Sequence, residues 1–283
     1  MTIAITAATG QLGRLVVDAL IERGVPASDV VALGRNPEKL ATLEPLGVQT
    51  RVADHSDPAA LSAALHDVDR VLLISGNVPG ARLEHHLNVV AAAKNADVDL
   101  IAYTSITNAD LSGMKLAAEH VATEEAIVAS GLAHSFLRNG WYLENYTDQL
   151  STQLEHGAVL GSAGEGRVSA ATRADFAAAA AAVLTSDAPE KVYELGGEAF
   201  TLDEYAAAVT EVTGTQVVYR DLPPEAYVEV LVGAGVPAPF ADILADSDLG
   251  VARDALFVEP DALVTLIGRP ATSVTEAVRA AQA

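Results

Sequence analysis

The segment Thr6-Ala7-Ala8-Thr9-Gly10-Gln11-Leu12-Gly13 constrains this chain most, because it joins a short apolar run to an amphipathic stretch through a turn holding two glycines. Ile3–Thr6 reads as a strand and Leu12–Arg23 as a helix. Glycine is needed at such a junction where the backbone must come close to a ligand, and again where helix and strand pack tightly. Gly10 and Gly13 stand at those two places. Ala7 occupies the position of the usual opening glycine, and alanine fits there only if its φ stays negative or mild strain is tolerated.

The same alternation continues. Val30–Gly34, Val48–Ala53, Arg70–Ser75, Asp99–Thr104 and His134–Leu137 read as further strands. Helices are expected over Pro37–Leu46, after Asp57-Pro58, over Ala81–Asn95 and near Lys115–Ser130. The fourth strand is continuously apolar, as a strand buried on both faces should be. This pattern predicts an α/β fold, a doubly wound parallel sheet with a smaller α+β C-terminal lobe. Residues 1–140 are expected to form the first domain and 141–283 the lobe, with segments near 158–195 returning to the main sheet. Past residue 140 the pattern weakens. Arg173–Thr185 reads as an alanine-rich helix, Val192–Leu195 as a strand, and Thr201-Leu202-Asp203-Glu204 as a capping box. Short helices are expected from Pro223 towards Asp248.

Composition removes several classes of chemistry. The 283 residues include no cysteine, which excludes thiolate nucleophiles, iron–sulfur clusters and Cys-bound zinc. A net charge of −21 argues against a nucleic-acid partner, which needs clustered cations. Any phosphate site must therefore be built locally, from backbone N–H groups and a few placed cations. No apolar run reaches the roughly 18–20 residues that cross a bilayer, and Met1 leads directly into an alternating segment without a secretory pattern. The expectation is a cytoplasmic protein with no membrane partner.

The glycine turn opens a helix, whose N-terminus offers free N–H groups and partial positive charge to phosphates. In a dinucleotide site the end of the second strand usually carries an acid against the ribose 2′-hydroxyl. Here Leu33-Gly34-Arg35-Asn36-Pro37 has none. Arg35 can instead grip a 2′-phosphate through paired charge-assisted bonds, which selects NADPH over NADH. Lys39 stands ready to add charge. Asp54 has two readings, a partner for the adenine amino group or a helix cap shared with Asp57. Ser75-Gly76-Asn77 and Tyr103-Thr104-Ser105 end strands at the carboxyl edge of the sheet, where ligands of such sheets bind.

Reduction of a simple ketone calls for a placed acid, commonly Tyr-x-x-x-Lys. None of the seven tyrosines has lysine four residues later. A quinone needs no such acid, because hydride addition gives a stabilised hydroquinone anion that takes its proton from water. The absence therefore points to an electron-poor, self-activated acceptor.

Several stretches together resemble a known family. They are Ala7–Gly13, Gly34-Arg35-Asn36-Pro37, Leu72-Leu73-Ile74-Ser75, Ile101–Ser105, Glu119-His120, Leu137–Tyr146, Leu154–Gly157, Ala171–Asp175 and Leu244–Asp248. The chain resembles the type-2 NAD(P)H:quinone oxidoreductases, in the NmrA-like branch of atypical short-chain dehydrogenases, which also holds triphenylmethane-dye reductases. The resemblance covers essentially the whole chain and implies a Rossmann fold, NADPH as cofactor, and hydride transfer to a quinone without a flavin. It implies Ala7, Ala8, Thr9, Gly10, Gln11, Leu12, Arg35, Ser75, Gly76 and Asn77 around the dinucleotide. It implies Asn139, Gly140, Trp141, Tyr142, Leu143 and Glu144, together with Arg173, around the nicotinamide and the acceptor. A non-catalytic NADP(H)-sensing regulator and a dye reductase stay open as alternatives. So does a homodimer. The resemblance names no catalytic residue.

Read from the residues, Asn139-Gly140 is a turn signal followed by the rings of Trp141 and Tyr142, which suit either stacking on a quinone or packing within the lobe. Tyr142 and Asn145 can donate hydrogen bonds to a quinone oxygen. His120 and Glu124 lie one helical turn apart and read as an exposed pair rather than metal ligands, and His85-His86 as surface. Gly161–Gly166 reads as a hairpin turn. No metal is expected.

Overall fold

Ile3, Ala4 and Ile5 have no solvent exposure, nor do Val30, Val31 and Ala32. Strands this apolar must be covered on both faces, which is the environment of a parallel sheet between helical layers. The computed structural model describes residues 1–76 and 80–282. In chain order the elements are β1 (Ile3–Ile5), α1 (Gln11–Glu22), β2 (Val30–Gly34), α2 (Pro37–Ala41), β3 (Gln49–Val52), α3 (Pro58–Ala64), β4 (Arg70–Leu73), α4 (Arg82–Asn95), β5 (Leu100–Ile106), α5 (Lys115–Ser130), β6 (His134–Asn139), α6 (Glu144–Thr147), α7 (Leu150–His156), β7 (Ala158–Gly161), α8 (Arg173–Thr185), β8 (Val192–Leu195), α9 (Leu202–Thr213), β9 (Val218–Asp221), α10 (Pro224–Gly233), α11 (Ala238–Val251), α12 (Asp261–Ile267) and α13 (Val274–Gln282).

Seven strands form one sheet in the order β3-β2-β1-β4-β5-β6-β8. β1 pairs in parallel with β2 and β4, β2 with β3, and β4 with β5. The order reverses direction at β1 and β4. That is the switch point at which open α/β sheets bind ligands.

The chain divides into two compact units. The first holds Met1–Ile106, Glu119–Arg138 and Arg173–Tyr193. Its core joins the inner face of the sheet to α3 and α4, through residues such as Val31, Leu33, Leu61, Leu65, Val89 and Tyr103. α8 packs on α1. Ala177 and Ala179–Ala181 are almost fully buried there, and their small side chains permit that close approach. Arg70 fastens the far end of α8 by donating to Leu184 O at 2.8 Å and Ser186 O at 2.7 Å.

The second unit holds Thr107–Ala118, Asn139–Thr172 and Glu194–Ala283. In it β7 pairs with β9, α9 packs on α13, and α10 packs on α11. Thr201 opens α9 with a complete capping box to Glu204. The hairpin expected at Gly161–Gly166 does not form. β7 lies parallel to β9, with Ala158 opposite Val218, so its partner comes after a crossover containing α9 instead of across a tight turn. The helix expected over Pro37–Leu46 also breaks, at Ala41, and a single 3₁₀ turn covers Glu44–Leu46. Pro45 explains the break, since it lacks an N–H and clashes with the preceding turn of a continuous helix.

Candidate functional site

The glycine turn is the first part of the site, and it lies in the first unit. Ala7 adopts φ +49°, the left-handed region, so the strain foreseen for alanine here is present. A Cβ on Gly13 would lie 2.3 Å from Ala7 O and 2.8 Å from Ala8 Cα. Only glycine lets α1 approach β1 this closely. Gly10 caps α1 with extended backbone, no side chain caps the helix, and its first turn carries no acid. The N–H groups of that first turn have no partner within the helix, and no acid of that turn competes for them. A pyrophosphate fits such a terminus.

At the end of β2, Arg35 is exposed. Asn36 is bound to the fold instead: its Oδ1 accepts from Lys39 N at 3.0 Å and caps α2. Asp54 does not share the cap of α3. Its Oδ1 accepts from Ser56 N and Oγ at 2.9 and 2.7 Å, which together hold its carboxyl below the usual range. Asp57 alone caps α3, accepting from Ala59 N and Ala60 N.

Ser75 and Gly76 leave β4 at the carboxyl edge, half-buried; Asn77 lies outside the described residues. Ser75 N donates to Thr104 Oγ1 at 2.9 Å. Tyr103 does not line the edge. It is fully buried in the core, with its hydroxyl 2.8 Å from His120 Nδ1, and burial drives its pKa far up. Ser105 Oγ is buried with no hydrogen-bond partner among the described residues.

The helical pair His120 and Glu124 is not exposed. Both are 6% exposed, and Glu124 receives a two-pronged bond from Arg138, at 3.0 Å from Nε and 2.7 Å from Nη2. His86 is likewise buried, not superficial, with contacts to Gly76 N and Thr123 Oγ1. These histidines face inward because α4 and α5 turn those positions onto the sheet. Burial, and secondly the Arg82 cation, push both imidazoles down to about 3. Among the described residues no group of three or more His, Asp or Glu could hold a metal ion. Arg173 is the first residue of α8 and half-buried.

Asn139–Glu144 lie in the second unit. Asn139-Gly140 is not a turn: Asn139 is the last residue of β6, and Gly140 N donates to Leu195 O at 2.6 Å. Glycine is required because a Cβ would sit 2.2 Å from Ser169 O. Asn139 is 5% exposed, and its Oδ1 has no hydrogen-bond partner among the described residues. Trp141 O accepts from Ala171 N, and Leu143 N donates to Ala171 O. These two bonds leave the half-buried Trp141 and Tyr142 on a fixed backbone. Leu143 is buried and precedes α6, which begins at Glu144.

Asp248, a motif residue without an assigned role in the sequence, accepts from Ser162 N at 2.8 Å beside the end of β7. Burial raises its pKa to about 6. No helix among the described residues is long and apolar enough to cross a membrane.

Residues 7–187 match the family model described as NAD(P)H-binding. The chain is 47% identical to the quinone oxidoreductase 2 of Escherichia coli strain K12 over 98% of its own length and 97% of that protein. Its fold matches the crystal structure of an NADPH-dependent quinone oxidoreductase of Escherichia coli complexed with NADPH, with a TM-score of 0.96, 46% identity and full coverage of both chains. It also matches the Citrobacter sp. triphenylmethane reductase complexed with NADP(H), with a TM-score of 0.94 and 39% identity over 99% of this chain and 100% of that one. The chain belongs to the NAD(P)H-binding family, and within it to the group that contains the quinone oxidoreductase 2 of Escherichia coli.

Proposed function

We propose that this protein is an NADPH-dependent reductase acting on a quinone or a similarly electron-poor conjugated acceptor. The observation that carries the reading is the uncapped, acid-free N-terminus of α1, closed against β1 through Gly13, with the exposed Arg35 at the end of β2. Likeness to an NADPH-dependent quinone oxidoreductase over the full chain supports it. Bound NADPH supplies a hydride, which together with a proton from water reduces a quinone to its hydroquinone and leaves NADP⁺.

The chain's own residues bind and orient. Ala7–Leu12 would hold the pyrophosphate, Arg35 the 2′-phosphate, and Ser75, Gly76 and Asn77 the ribose side. Asn139–Glu144 and Arg173 would hold the nicotinamide end. No tyrosine has a lysine four residues later, and burial raises the pKa of Tyr103, Tyr146, Tyr205, Tyr219 and Tyr227. An acceptor that needs no protein acid fits that environment.

Loss of the nicotinamide absorbance band on mixing the protein with NADPH and a benzoquinone tests the reading. A parallel panel of cationic triphenylmethane dyes decides the acceptor class, since a dye reductase shares this fold. NADPH binding without turnover of any acceptor would leave a dinucleotide-binding protein and remove the enzymatic part.

A further inference from the structure

Just beyond β4, three successive backbone N–H groups are taken up by side chains. Ile74 N donates to Thr6 Oγ1, Ser75 N to Thr104 Oγ1 and Gly76 N to His86 Nε2, each at 2.9 Å. The acceptors come from the end of β1, from β5 and from α4. Arg82, also on α4, donates from Nε to Gly76 O at 2.7 Å. Gly76 is thus held through both its N–H and its C=O by residues one helical turn apart.

The network fixes the state of His86. A backbone N–H can only donate, so Nε2 must carry a lone pair. His86 Nδ1 lies 2.9 Å from Thr123 Oγ1, whose own hydrogen goes to Glu119 O at 2.8 Å. Thr123 therefore accepts, and Nδ1 carries the proton. The Tyr103 ring and the imidazole pack edge to face at a centroid distance of 5.5 Å, and His86 has no solvent exposure. Protonation at Nε2 would aim one N–H at another. The depressed pKa of about 3, caused first by burial and then by the Arg82 cation, keeps that form away.

We propose that His86, as the neutral Nδ1–H tautomer, is a positioning residue of the dinucleotide site, holding Gly76 and so setting the path of the backbone that leaves β4. The proposal rests on the NADPH reading above and adds a division of labour to it. Because the N–H groups of Ile74, Ser75 and Gly76 are all committed inward, this segment has none to offer a phosphate, and phosphate binding falls to α1 and Arg35.

The test compares His86→Gln, which keeps an acceptor at the reach of Nε2, with His86→Phe, which fills the space without one. By nicotinamide fluorescence titration, the NADPH Kd should rise about tenfold in His86→Phe and less than about threefold in His86→Gln, as loss of one buried acceptor implies. KM for NADPH should follow Kd while kcat at saturating NADPH stays within about twofold. Equal weakening in both variants would mean packing alone, and unchanged Kd in His86→Phe would mean no role; either overturns the proposal. If His86→Phe does not fold, nitrogen NMR of the wild-type imidazole decides. The Nδ1–H tautomer should persist without titration between about pH 5.5 and 8, and an Nε2–H tautomer or a titration in that range overturns the proposal. Failure of wild-type protein to bind NADPH would remove the NADPH reading and this proposal together. Wild-type binding with an unaffected His86→Phe removes the proposal alone.

Discussion

Ala7 sits at φ +49° in the turn between β1 and α1, a conformation that costs an L-residue roughly 1–2 kcal/mol and glycine almost nothing. Ala7→Gly relieves that strain but loosens the unfolded chain, so the expected gain is about 0.5–1 kcal/mol in a urea melt. Gly13→Ala has the opposite sign: the new Cβ meets Ala7 O, a backbone atom that cannot step aside, and a loss of at least about 2 kcal/mol is expected. Arg35 is exposed and separable from the fold. Arg35→Glu should leave the melting temperature unchanged, while calorimetry shows NADPH binding weakened by at least about 100-fold and NADH much less affected, because a charge-assisted bond worth about 1.5–3 kcal/mol becomes a repulsion. At this scale the sequence was informative wherever backbone geometry dictates residue type. Gly10, Gly13 and Ala7 could be read because few residues fit their positions. His86, His120 and Glu124 could not, since spacing along a helix says which residues share a face but not which face turns inward.

Elements were legible where a local signal starts or stops them. Asp57-Pro58 opens α3, Thr201 with Glu204 opens α9, and the bounds of α8 and β8 agree with their sequence patterns. Signals were misread where a distant segment supplies the partner. The glycines after β7 look like a hairpin, yet β7 pairs with a strand nearly sixty residues later, and Gly140 is demanded by Ser169, not by a turn. α5 and β6 are joined by the Glu124–Arg138 pair, with side chains only 8% and 11% exposed. Removing one partner of a buried pair leaves an uncompensated charge. Glu124→Ala should therefore cost about 3–5 kcal/mol in guanidinium unfolding, and the double variant Glu124→Leu/Arg138→Met should recover much of that loss. A double variant as unstable as the single would show that the cost is packing instead.

Over the whole molecule, pH acts on the acid Asp248 and the histidines His86 and His120 with opposite signs. Asp248 has a folded pKa of about 6, above its unfolded value of 3.8, so its contribution is complete below about pH 4 and is lost as pH rises through 6. Asp248→Asn keeps an acceptor for Ser162 N and should raise stability above pH 6 by about 2 kcal/mol, with no gain below pH 4. His86 and His120 have folded values near 3, below 6.5, so their contribution is present above pH 6.5 and is lost as pH falls towards 3. Thermal melts of wild-type protein and Asp248→Asn across pH 4 to 8 check the sign; a constant difference would sink the assignment. The sequence by itself determined the strand–helix alternation, the turn chemistry at Gly10 and Gly13, the choice of arginine over acid at the end of β2, and the absence of a tyrosine–lysine pair. These are local properties, fixed by a few neighbouring residues and by sterics. Only the tertiary structure decided that β7 pairs with β9, that Gly140 must yield to Ser169, and that His86, His120 and Glu124 are buried, because those outcomes depend on partners remote in the chain and on which helix face the sheet covers.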